Sequence, residues 1–196
     1  MQSIGGVPIG KTNSAFQFDY SPFEVIADIV ASGCIPDQKS HQYYPTPSSI
    51  GEVAIELAQI GANDTCLEPS AGQGGLANLM PKDRTRCIEI SEMHCKILSA
   101  KGFDATQADF TLWSERTADR FDRVVMNPPF SEGRWQQHLA IAAGLVKNGG
   151  RLVAILPASA KGKDLLPGWA LEFTDAYAGE FVGTSVSVVI AHGNKP

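Results

Sequence analysis

The sequence predicts an α/β fold, a mainly parallel sheet with helices on both faces and a closing C-terminal antiparallel strand or hairpin. Two observations carry this. From residue 64 onward, short apolar runs of strand length alternate with segments whose apolar residues recur at helical spacing, the pattern of successive βα units. The tail over 180–191 then breaks the alternation with VGTSVSVVIA, rich in β-branched residues that suit a pleated surface.

Taken in order, residues 1–20 are rich in Gly, Ser, Asn and Gln without a clear period and read as a flexible, loose or draped arm ahead of a single domain over 21–196. Gly5, Gly10, Lys11 and Thr12 satisfy the GxxxxGKT phosphate-loop pattern. That pattern needs a strand before it and a helix after it, and neither is expected here, so the match is read as accidental. Ser21-Pro22 opens a helix carrying Phe23, Ile26, Ile29 and Val30, ended by Gly33. HQYYPTP over 41–47 is a turn-rich aromatic stretch. Ser48 and Ser49 are candidate caps for a second helix with Ile50, Val53, Ala54, Leu57 and Ile60 on one face, stopped at Gly61. The alternation then predicts strands over 64–68, 85–90, 103–107, 121–126 and 150–157, with helical segments over 75–79, 92–100 and 135–146. Residues 158–178 interrupt it as an insert.

With 196 residues, 43% hydrophobic and 19% charged, the chain suits one soluble globular domain. A net charge of −5 matters more, because a protein that grips nucleic acid unaided usually presents a basic face. A nucleic-acid substrate would call for locally clustered cations, or for help from a separate recognition subunit or a second copy in a homo-oligomer. No stretch of about 20 apolar residues implies a membrane span, and the start lacks the blocks of a secretory signal, so a cytoplasmic location is expected. Cys34, Cys66, Cys87 and Cys95 lack CxxC spacing and read as buried thiols. His94 beside Cys95 is the one neighbouring ligand pair, and no metal site is expected; His41, His138 and His192 are isolated.

The residues that suggest chemistry fall at the ends of the predicted strands. After the first comes Glu68-Pro69-Ser70-Ala71-Gly72-Gln73-Gly74, where glycines permit a sharp turn and close approach of a ligand to main-chain atoms. Such a loop suits an adenosine-bearing cofactor without separating NAD from others, and a structural tight turn would look the same. Glu89, followed by Ile90, ends the second strand, where a carboxylate can accept from two ribose hydroxyls or simply lie in solvent. Asp109 and Phe110 follow the third, suited to an adenine amino group and ring. Asn127-Pro128-Pro129-Phe130 follows the fourth. An Asn side-chain oxygen and the next carbonyl can together accept both hydrogens of a planar amino group, prolines add no competing N–H, and the Phe offers a face to a flat ring. A strand that merely ends in a Pro-rich turn is the plain alternative.

These motifs together resemble the class I S-adenosylmethionine-dependent methyltransferases, and more narrowly the DNA N6-adenine methyltransferase family with cofactor motifs ahead of NPPF/Y. The resemblance spans about residues 41–191 and rests on Tyr44-Pro45-Thr46-Pro47, EPSAGQGGLA, Asp109-Phe110 and NPPF. It implies a Rossmann-like fold, S-adenosyl-L-methionine as cofactor, and methyl transfer to adenine N6 in DNA with the base flipped out. Thr46 and Pro47 would help hold the methionine part of the cofactor, and Phe181 would stack on the base beside Phe130. The same geometry also serves RNA base and protein glutamine methylases, and a catalytically silent cofactor-binding subunit or a nicotinamide enzyme would share part of it. Sequence-specific members of the family append a recognition domain after the last strands, whereas this sequence stops at Pro196. Lys161, Lys163 and Trp169 in the 158–178 insert are the candidate contacts to phosphate or base, with a plain surface loop as the alternative.

Overall fold

The computed structural model describes residues 1–10, 15–32, 45–181 and 185–196. Lys11, Thr12, Gly33, Cys34, His41 and Tyr44, to which the sequence reading gave roles, lie outside the described residues.

The central sheet has seven strands: β3 (Cys66–Glu68), β4 (Thr85–Glu89), β5 (Asp104–Gln107), β6 (Phe121–Met126), β7 (Val146–Pro157), β8 (Glu172–Phe173) and β9 (Val188–Asn194), ordered β5-β4-β3-β6-β7-β9-β8. The first five pair in parallel, and β9 enters antiparallel between β7 and β8. The order reverses beside β3, which places a crevice at the carboxyl ends of β3 and β6.

Period-two alternation explains the two faces. Val124, Met126, Leu152 and Leu156 point to one layer, where they meet Leu139, Ala142 and Leu145 of α5 (Arg134–Leu145). Val125, Val153 and Ile155 point to the other and meet Ile50, Ala54 and Ala58 of α2 (Ser48–Ala58). Helix α3 (Glu92–Ala100) starts at Ser91, whose side chain caps the His94 N–H. A short α4 (Phe110–Ser114) is capped by Asp109, which accepts from the N–H groups of Thr111 and Leu112.

Several expectations need correction. Residues 75–79 hold only a 3-10 turn at Ala77–Leu79, because Gly74 and Gly75 before it and Pro81 after it leave no room for a second turn. Pro47, not a serine, occupies the cap of α2, Gln59 in the left-handed region ends it, and Ser49 Oγ instead donates to Glu180 at 3.1 Å. The 158–178 insert supplies the edge strand β8, and Tyr177 bridges to Val188. Trp169 packs against the core.

Residues at the N-terminus form a hairpin of β1 (Val7–Ile9) and β2 (Ala15–Gln17), followed by α1 (Phe23–Ser32). Ile4 is buried in a small cluster with Val25 of α1 and Ile97 of α3. Cys66, Cys87 and Cys95 are buried free thiols; burial pushes Cys66 and Cys95 to about 11 and Cys87 upward as well. No helix among the described residues is long and apolar enough to cross a membrane.

At the end of the sheet away from the crevice, Asp122 accepts from Thr65 N–H (2.9 Å), Thr65 Oγ1 (2.7 Å) and Lys147 Nζ (2.8 Å). Burial opposes ionisation there, but the bonds from Lys147 and Thr65 outweigh it and hold the carboxyl at about 2. A depressed folded pKa contributes stability above the unfolded value near 4, lost as pH falls through about 2. Asp122→Asn should lower Tm at neutral pH by about 3–6 °C, and thermal scans should show that gap closing between about pH 4 and 2.

Candidate functional site

A cleft of about 560 Å3 opens at the carboxyl ends of β3, β4, β5 and β6. It gathers Thr46, Glu68 through Gly72, Glu89, Ile90, Asp109, Phe110, all four residues of Asn127–Phe130, and Phe181. Pro47, Gly74, Lys161 and Lys163 do not line it. Gly74 serves the turn instead, at φ 88° with its N–H on Ala71 O. Lys161 and Lys163 are exposed beyond β7, with Lys161 Nζ paired to Asp175 at 3.0 Å.

The loop after β3 is pinned from two sides. Ala71 N–H donates to Ile88 O at 3.0 Å, and Gly72, at φ 54°, donates its N–H to Glu89 Oε2 at 2.7 Å. Glu89 Oε1 accepts from Ser91 N–H at 2.8 Å, and His94 Nδ1 lies 3.7 Å away. Burial alone would raise the pKa of this carboxyl. Hydrogen bonding with His94 and with the Ser91 and Gly72 N–H groups prevails, and the carboxyl ionises below its ordinary range.

Glu68 has the opposite character. It is 2% exposed, the Ala77 N–H favours its ionised form, and its Oε2 has no partner among the described residues. Burial, reinforced by the charge on Glu89, drives its pKa well above the carboxylate range despite the Ala77 bond. A buried carboxylate oxygen left open beside a cleft suits a ligand that brings a cationic or N–H donor.

Asp109 keeps only part of its acceptor capacity for a ligand. Thr111, through its hydroxyl and N–H, and the Leu112 N–H all donate to Oδ1. The Thr111 hydroxyl bond is foremost in holding the carboxyl below its usual range. Phe110 is 3% exposed and packs against Trp113 and His138, with centroids 6.3 and 5.3 Å away, and it still lines the cleft.

Across the cleft, Asn127 Nδ2 donates to Thr46 Oγ1 at 3.1 Å, while its Oδ1 has no partner among the described residues. The Thr46 segment packs beside Gly75, whose Cβ position lies 3.4 Å from Thr46 N. Pro128 is buried, and Phe130 packs against both core layers. Phe181 is 6% exposed, belongs to the α2-side layer, and also borders the cleft.

Sequence reasoning passed over Arg134, Gln137 and His138, which α5 brings to the cleft wall directly after NPPF. His138, read as isolated, stands with Nδ1 3.4 Å from Ser70 Oγ. Burial lowers its pKa, Asp109 opposes that and Arg134 adds to it, so the net direction is downward and the ring is neutral at pH 7. The available signal was positional: these residues occupy the first two turns of the helix that follows the motif.

The carboxyl groups of Glu68, Glu89 and Asp109 line this cleft together with Arg134. Glu68 and Glu89 end β3 and β4 and Asp109 follows β5, the strand ends at which such a fold binds ligands, whereas Arg134 comes from the start of α5.

No protein-family model and no curated protein matches the sequence. Solved structures do match in fold. TrmN from Thermus thermophilus aligns at TM-score 0.60 and 19% identity over 76% of this chain and 49% of its own, so the chain spans about half of that protein's length. A putative class I S-adenosylmethionine-dependent methyltransferase from Listeria monocytogenes aligns at TM-score 0.59 and 15% identity, covering 91% of this chain and 70% of that one. NSun6 from Pyrococcus horikoshii, solved with SFG, aligns at TM-score 0.56 and 14% identity over 74% and 51%. With the strand order and the antiparallel β9, these matches give the chain the Rossmann-like fold of the class I methyltransferases.

Proposed function

We propose that the protein transfers a methyl group from S-adenosyl-L-methionine to the N6 amino group of adenine in DNA. The observation that carries this reading is the Asn127 side chain, held through Nδ2 by Thr46 so that Oδ1 remains open inside the cleft.

In this reading the cofactor, when bound, supplies a sulfonium methyl group. Glu68 Oε2 accepts from its amino group, the loop from Pro69 to Gly72 lies along it, and Thr46 borders the methionine end. Glu89 accepts from the ribose hydroxyls. Ile90, exposed at the cleft edge, and Phe110 flank the adenine, with Asp109 Oδ2 left to accept from its amino group. Pro47 and Gly74 shape this site from behind.

An adenine amino nitrogen is a poor nucleophile because its lone pair is delocalised into the ring. When Asn127 Oδ1 and the Pro128 carbonyl accept its two hydrogens, electron density returns to nitrogen. Pro129 contributes no competing donor, and Phe130 offers its face to the base with Phe181 opposite. Stacking worth roughly 1–3 kcal/mol per base helps offset an unpairing cost of a few kcal/mol. Arg134 at the cleft wall, with Lys161 and Lys163 further out, provides cations for phosphate; the net charge of −5 favours a separate recognition subunit or a second copy as an aid to binding.

Labelled cofactor incubated with unmethylated DNA, RNA and protein pools, then digested to nucleosides and amino acids, should place label on N6-methyladenine from DNA. Label confined to RNA or protein would refute the substrate. Asn127→Ala should reduce turnover by at least about 10^3-fold while cofactor Kd stays within a few-fold, whereas Glu89→Ala should weaken cofactor binding about tenfold or more. Both follow from calorimetry paired with single-turnover rates.

A pH dependence follows from Glu68. Its carboxyl is protonated more readily than usual when the cleft is free, and an ammonium partner favours the ionised form, so binding releases a proton. Affinity for S-adenosylhomocysteine should therefore rise with pH above the ordinary carboxylate range, with that slope missing in Glu68→Gln.

A further inference from the structure

Behind the loop, on the side away from the cleft, three bonds connect it to elements distant in sequence. Gln73 O accepts from Lys101 Nζ at 2.8 Å, Gln73 Nε2 donates to Ser3 O at 2.7 Å, and Asn78 Nδ2 donates to Asp19 Oδ2 at 3.0 Å. Lys101 Nζ also pairs with Asp19 Oδ2 at 2.9 Å and lies 5.6 Å from the Tyr20 ring centre. Its side chain is only 7% exposed although it carries a full charge at the end of α3.

These contacts come from both parts of the N-terminal arm. Ser3 and Ile4 lie before the hairpin, Asp19 and Tyr20 after it, and Tyr20 Oη closes the two together by donating to Ile4 O at 2.8 Å. Ile4 is anchored against Ile97 in the same helix that ends in Lys101. A nearly buried ammonium needs each of its acceptors, and two of the groups that surround it belong to the arm. The loop gains little rigidity from its own backbone, since Gly72 and Gly74 give it wide conformational freedom.

We infer that the N-terminal arm is an intramolecular brace for the ligand loop, with Asp19 and Lys101 as positioning residues that fix the loop's conformation through Gln73. Neither residue borders the cleft; they act on ligand affinity by keeping Ala71 and Gly72 in the binding geometry. The part of the inference that concerns cofactor affinity rests on the proposed methyltransferase function, while the bracing itself does not.

The test uses the full chain and the variants Asp19→Ala, Lys101→Met, Lys101→Arg and Val25→Ala, with amide hydrogen exchange over residues 70–78 and calorimetry with S-adenosylhomocysteine. Asp19→Ala and Lys101→Met should speed loop exchange and raise Kd about tenfold, with cofactor KM rising in step and kcat at saturating cofactor within about twofold. Lys101→Arg, which keeps the charge, should recover part of the affinity. Val25→Ala loosens the Ile4 cluster that anchors the arm, and should lower Tm and speed loop exchange, with a smaller rise in Kd than in Asp19→Ala. Loop exchange that stays at the parent rate in folded Asp19→Ala and Lys101→Met overturns the brace. Faster loop exchange in a protein whose parent form binds no S-adenosylhomocysteine supports the brace and refutes the cofactor instead.

Discussion

The site depends on the carboxylate of Glu89. One oxygen takes the N–H of Gly72 and the other that of Ser91, so a single side chain at the end of β4 ties the loop after β3 to the start of α3. Hydrogen bonding with His94, together with that double acceptance, keeps the group ionised while buried, because these donors replace water around it. Remove it, and two buried N–H groups lose their partner while the loop loses its anchor on the cleft side. Glu89 also lines the cleft, so the residue that holds the loop is part of the wall that the loop completes.

Glu68 and Glu89 show how neighbouring carboxylates acquire opposite behaviour from their surroundings. Glu89 is surrounded by donors; Glu68 has one main-chain donor and an open oxygen. Burial is common to both, so hydrogen bonding decides the sign of each shift. The result is one carboxylate stably ionised and one with an oxygen that has no partner among the described residues.

Much of the architecture was legible because it rests on local periodicity. Val124, Val125 and Met126, and then Leu152 through Leu156, alternate between the two core layers as their apolar runs imply, and the strand-end motifs fall on one edge because parallel strands share a direction. Strand β8 was not legible, since two residues, Glu172 and Phe173, carry no period and are defined only by pairing with β9. His138 escaped because a histidine on a buried helix face looks like any other half-apolar position until the helix is placed against Ser70 and Phe110. The docking of the arm was hidden for a similar reason: it depends on one isoleucine and several single polar contacts, each separated from its partner by tens of residues.

Phe130 touches both hydrophobic layers, one on each side of the sheet, and forms part of the cleft wall. This part of the cleft wall is therefore a mould cast by the whole interior rather than an adjustable loop. Reshaping the cleft for a bulkier ligand would meet resistance at this ring, since shrinking it opens voids toward α2 and α5 alike, and the more permissive route runs through the outer wall at Gln137 and Val186.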